Sequence, residues 1–163
     1  HTFMKKHNLI EDIHIVQQKR RKIFEEIIKE GIVPMQGFTQ LIKLLTQKNI
    51  KIGLASNRRY EHIILILEQL NIKEHFWAIV GPSEKRKHKP APDIYLDTAK
   101  ELKVSPQDCI VIEDSETGIL SAHSAGMKII AVPNPYTNHH DFSKADKIVS
   151  SLSDINLSLL QNL

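Results

Sequence analysis

Cysteine is almost absent from this chain of 163 residues: Cys109 stands alone. One thiol excludes an internal disulfide framework and agrees with a reducing compartment. Long apolar runs are missing too. None approaches the roughly 18 residues that span a bilayer, and no signal-peptide pattern is seen, so the expected location is the cytoplasm, with no membrane partner. There is no GxGxxG, no P-loop, no HExxH and no paired-cysteine spacing. Nucleotide folds built on the first two motifs are therefore excluded, and the scattered histidines carry no zinc pattern. Excess charge of one sign is slight. A net charge of +3 is too weak to imply nucleic acid, although anionic small molecules stay open.

What is present describes an ordinary globular protein, 41% hydrophobic and 25% charged, long enough for one domain with a real core and a small appendage. Residues 11–30 place Ile13, Val16, Ile23, Phe24, Ile27 and Ile28 at helical spacing before Gly31. The KRRK run at 19–22 lies on this helix, and without interleaved aromatics it reads as a solvated face. From Gly37 the texture alternates. Helices are expected over 38–48, 60–70, 93–102, 116–125 and after Ser151. Strands are expected over 50–55, 77–80, 109–113, 128–132 and 147–149. Apolar strands separated by helices imply an α/β fold with a parallel sheet covered on both faces.

Ligands in such sheets bind at the carboxyl ends of the strands, and three polar groups fall at or between those ends. LASNR, residues 54–58, puts Ser56 and Asn57 where a strand gives way to a helix, as an anion site or merely an N-cap. In KRKHKPAPDIY, residues 85–95, Lys89 precedes Pro90, which restricts its backbone, so that it either places a compact charge on a phosphate or between carboxylates or simply joins the solvated face. Lys85, Arg86, Lys87 and His88 read as a solvated face. VIEDS, residues 111–115, sets Glu113 and Asp114 at the end of an apolar strand, where an unpaired carboxylate is costly. That pair suits Mg²⁺, while Ser115 and Glu116 suit the start of a helix. Gly118, Ser121, Ala122 and Ala125 read as close-packing positions.

The order LASN, KPAPDIY, VIEDSETGILSAHSAGM resembles the haloacid dehalogenase-like hydrolases, in the branch of β-phosphoglucomutase and related sugar-phosphate phosphatases. The likeness covers residues 34–155. It implies a three-layer Rossmann-like core over 34–163, with residues 1–33 as the C-terminal part of a helical cap domain. It also implies phosphoryl transfer from a small phosphorylated metabolite through an aspartyl-phosphate, with Mg²⁺ as cofactor. By the same likeness Ser56 and Asn57 match the phosphate-binding motif, Lys89 the lysine that contacts phosphate and nucleophile, and Glu113 and Asp114 the metal pair, Asp114 being the direct ligand. Ser56 and Lys89 are then the catalytic residues.

One departure stands beside the matches. The family carries its nucleophile in an Asp-x-Asp motif ending its first strand, and this chain, which opens on His1, has no Asp-x-Asp. The expectation is a fragment of a Mg²⁺-dependent phosphatase or phosphomutase, missing its first strand and inactive alone. The alternative is a non-catalytic phosphate-binding or interaction protein derived from the same fold. The strands ending at Ser56 and Glu113 would flank the missing one. They are expected either to pair directly or to accept a strand from another chain by strand exchange or dimerisation.

Overall fold

Strands of four or five apolar residues bounded by helices leave little choice but parallel pairing, and every pairing found is parallel. The computed structural model describes residues 13–163, and the chain divides into two compact units, His1–Val33 and Pro34–Leu163. The described part of the first unit holds helix α1 (Ile13–Glu30). Glu11 and Asp12, expected in that helix, lie outside the described residues. Lys19, Arg20, Arg21 and Lys22 are all exposed, and Arg21 pairs with Glu25 one turn on at 2.8 Å.

The second unit runs α2 (Phe38–Gln47), β1 (Ile52–Ala55), α3 (Tyr60–Gln69), β2 (Phe76–Val80), α4 (Asp93–Leu102), β3 (Ile110–Glu113), α5 (Glu116–Ser124), β4 (Lys128–Ala131), β5 (Lys147–Ile148) and α6 (Leu157–Gln161). Side chains alternate across a strand, and β4 shows the result. Ile129 and Ala131 join α4 and α5 in one apolar cluster. Ile130 and Val132 join Leu41 of α2 with Leu152 and Ile155 in the other. This is the expected α/β/α layering.

The strands form two sheets, β1–β2 and β3–β4–β5. Direct pairing of β1 with β3 is thus not found among the described residues, which corrects that half of the sequence expectation. A shared core accounts for their association without a ladder. Helix α4 packs on β1 and β2, while its Ile94, Tyr95 and Ala99 share a buried cluster with Val111 of β3 and Ile129 of β4. The approach to β1 is close: a Cβ on Gly53 would lie 2.6 Å from the Thr98 methyl.

Candidate active site

At the exit of β1, Ser56 N–H still bonds to Val80 O of β2 at 3.0 Å. The Ser56 hydroxyl oxygen then accepts from Arg58 N–H at 3.1 Å, which turns the chain and leaves the hydroxyl proton available. Arg59, not Ser56 or Asn57, stands at the N-cap of α3, so neither predicted residue is used up as a cap. Asn57 instead reaches across 32 positions of sequence, its Oδ1 accepting from Lys89 N–H at 3.3 Å.

The loop that delivers Lys89 is held at several points. Arg86 bonds to Asp97 of α4 at 2.7 Å and to the Gly81 carbonyl, and Ser121 of α5 donates to Ala91 O at 2.6 Å. Arg86 is therefore a strut rather than part of a solvated face, correcting the sequence reading. Its planar fork meets a carboxylate and a carbonyl at once.

Lys89 lands on β3. Its Nζ lies 2.5 Å from Glu113 Oε1 and 2.9 Å from Tyr95 Oη, with the ammonium 4.5 Å from the Tyr95 ring centre. Tyr95 Oη donates in turn to Glu113 Oε1 at 2.6 Å. Lysine, tyrosine and glutamate thus close a ring of hydrogen bonds that uses two of the three ammonium protons. The other carboxylate oxygen, Oε2, accepts from Asp114 N–H, Ser115 N–H and Ser115 Oγ. Five donors converge on Glu113. Burial by itself would raise its pKa, but the Lys89 charge and the bonds from Lys89, Tyr95 and Ser115 hold it below the ordinary carboxylate value. The same residues push the Tyr95 phenol far above its ordinary value, first by burial and then by the Glu113 charge.

Asp114 differs from its neighbour. It is half-buried, and among the described residues a single side chain donates to it, Asn134 Nδ2 to Oδ2 at 2.8 Å. Burial and then the Glu113 charge raise its pKa, opposed in part by its own backbone N–H, by Lys89 and by Asn134. Of the predicted acidic pair, Glu113 is committed to protein donors, whereas among the described residues no other residue donates to Asp114 Oδ1. No group of three or more metal-binding side chains occurs among the described residues. Ser115 caps α5, accepting from Gly118 N–H at 3.2 Å.

The structure therefore gathers Asn57, Lys89, Glu113 and Asp114 through direct contacts or adjacency, with Ser56 beside Asn57 at the matching strand end. Sequence reasoning missed Tyr95 and Asn134. Tyr95 was visible six residues after Lys89 at the start of a helix. Asn134 was visible just beyond a strand whose end lies at the same sheet edge.

This constellation sits within a recognisable whole. Residues 2–132 match the family model of the haloacid dehalogenase-like hydrolases. The chain is 42% identical over 129 residues to a bifunctional riboflavin kinase/FMN phosphatase of Arabidopsis thaliana, covering 78% of this chain and 34% of the relative. It is 38% identical to β-phosphoglucomutase of Bacillus subtilis, covering 91% and 62%. The crystal structure of CbbY from Rhodobacter sphaeroides in complex with phosphate superposes with a TM-score of 0.85 at 25% identity, covering 93% of this chain and 70% of that one. The chain spans only about a third to two thirds of the length of those two sequence relatives. It belongs to the haloacid dehalogenase-like hydrolase family.

Proposed function

We propose that these residues form the phosphate- and metal-binding part of a Mg²⁺-dependent phosphoryl-transfer site acting on a small phosphorylated metabolite. The Lys89 bridge carries the reading: its backbone is held from the end of β1 by Asn57 and its ammonium from the end of β3 by Glu113. One N–H of Lys89 is thereby left unspent between two strand ends, and Ser56 adjoins Asn57 at the first of them. The relatives point the same way, since their names include an FMN phosphatase and a phosphosugar mutase and one structure holds phosphate.

In this reading Ser56 and Asn57 hold the phosphoryl oxygens, and Lys89 donates its remaining N–H to them while Glu113 and Tyr95 fix its position. Asp114 would bind Mg²⁺, which typically takes one or two protein carboxylates and fills its shell with phosphate oxygens and water. The donor set fits: Asp114 has an oxygen, Oδ1, that no other described residue donates to, and a carboxyl raised by burial and by a neighbouring charge, which a cation would relieve. When bound, the ion would neutralise charge developing on the transferred group. Glu113 serves as the anchor of Lys89 instead of a metal ligand. The nucleophilic aspartate would come from polypeptide outside these 163 residues, on a strand paired between β1 and β3, and residues 1–33 would belong to a cap. The isolated chain would then bind phosphate without turning it over.

The test is hydrolysis of p-nitrophenyl phosphate by the 163 residues joined to the family's first strand, with Mg²⁺, with EDTA, and with Asp114→Asn. Activity that needs Mg²⁺ and is lost in the variant is expected. Full activity in EDTA would sink the metal assignment, and equal turnover by the isolated chain would sink the missing nucleophile.

A further inference from the structure

We infer that Asn134 is a positioning residue that aims the free oxygen of Asp114, an inference resting on the metal-site reading above. Asn134 follows β4, whose ladder with β3 is extended by Val132 N–H bonding to Glu113 O at 2.8 Å. The chain leaving β4 therefore runs beside Asp114. Every polar group of Asn134 is engaged. Nδ2 donates to Asp114 Oδ2 at 2.8 Å, and Oδ1 accepts from Tyr136 N–H at 2.9 Å. The backbone N–H donates to Thr137 Oγ1 at 3.1 Å, while the carbonyl accepts from Thr137 and Asn138, each at 2.9 Å.

These contacts fix which way round the amide sits. A flipped amide would set its oxygen against the Asp114 carboxylate and its NH₂ against the Tyr136 N–H, two repulsions in place of two bonds. The turn thus decides that a donor faces Asp114. The loop itself is tied back to α5, because Glu116 N–H donates to His140 Nδ1 at 3.3 Å. Asp114 and its holder are consequently anchored to the same helix start. With Oδ2 held, Oδ1 is the atom left for a cation, and the side chain's orientation is set before any ion arrives. Groups that orient a ligating carboxylate change metal affinity by about 10–100-fold when removed.

The decisive variant is Asn134→Ser. Its hydroxyl can still accept from Tyr136 N–H in the same kind of turn, but it is too short to reach Asp114. Mn²⁺ affinity of the 163-residue chain would be measured by electron paramagnetic resonance alongside thermal unfolding. Wild type, Asn134→Ser, Asp114→Asn and Thr137→Ala would be compared, the last cutting a loop tie that does not touch Asp114. The expected result is Mn²⁺ binding weakened about 10–100-fold in Asn134→Ser, near-wild-type binding in Thr137→Ala, and similar thermal midpoints for both. If Asn134→Ser binds as tightly as wild type while Asp114→Asn does not bind, the positioning role is overturned and the metal site stands. If Thr137→Ala weakens binding equally, or Asn134→Ser loses affinity only along with the fold, the role is merely structural and the inference is overturned. If wild type and Asp114→Asn are alike, the metal reading fails, and this inference with it.

Discussion

Gly118 lies directly under the carboxylate of Glu113: a Cβ there would stand 2.1 Å from Glu113 Cδ and 2.2 Å from both of its oxygens. A glycine within a helix costs up to about 1 kcal/mol relative to alanine, so Gly118→Ala should stabilise α5 on propensity alone. The clash reverses the sign. Glu113 is held by five donors and cannot swing aside without breaking the Lys89 ring. Gly118→Ala is expected to lower stability by about 1–3 kcal/mol, the usual cost of overpacking. Urea titration checks it; an unchanged or raised midpoint would show that the carboxylate has room.

Lys89 and Glu113 expose only 8% and 10% of their side chains. Removing one partner of a buried pair strands the other charge, at about 3–5 kcal/mol. Lys89→Met should therefore destabilise by about that much. Lys89→Met combined with Glu113→Gln should recover a large share, and chemical denaturation of wild type, both single variants and the double variant measures the recovery. Purely additive losses would mean that the two charges do not depend on each other.

Tyr95 offers a pH test. Burial, the Glu113 charge and the bond to Glu113 raise its pKa above the ordinary 10.0. Above pH 10 the unfolded chain releases this proton while the folded chain retains it, so stability falls as pH rises. Tyr95→Phe should flatten that slope. Absorbance titration near 295 nm should give the same tyrosinate signal in wild type and variant until unfolding begins. An additional tyrosinate step in folded wild-type protein would contradict the buried ring.

The edges of β1 and β3 make a fourth prediction. The two strands belong to separate sheets, so the alternate amides of Ile52–Ala55 and Ile110–Glu113 that do not face β2 or β4 should exchange hydrogen quickly. Adding an apolar strand peptide that ends in aspartate should slow them together. Uniform protection of the isolated chain at monomeric concentration would show that the edges are already satisfied.

Much of this was legible beforehand, and the misses share a cause. Helix 93–102 was read to the residue because Pro90 and Pro92 stop the preceding chain and apolar periodicity starts at once. The strand expected from Ile50 starts at Ile52, because Asn49 takes a left-handed conformation and Ile50 N–H bonds back to Leu45 O. The single helix expected after Ser151 is a short 3₁₀ turn, Leu152–Asp154, and then a new helix capped by Asn156. Ser56, Lys89 and Asp114 announced themselves as polar residues at or between strand ends. The partners of Lys89 and Asp114 did not. Tyr95 and Asn134 bond across 18 and 20 positions, and only the stacking of α4 and the pairing of β4 with β3 bring them into reach.

The hydrogen-bonded ring has an electrostatic corollary. Lys89 and Glu113 cancel formally, so with Asp114 these three side chains carry a net charge of −1. A dianionic phosphoryl group approaching that charge meets no net attraction, whereas a divalent cation on Asp114 would turn it to +1. Cation and anion should therefore recruit one another, each raising the other's affinity by the same factor, as thermodynamic reciprocity requires. Inorganic phosphate ought to bind weakly alone and markedly better once a divalent ion is present. On the proposed reading, spending the lysine's charge on its own glutamate would make phosphate capture conditional on the metal.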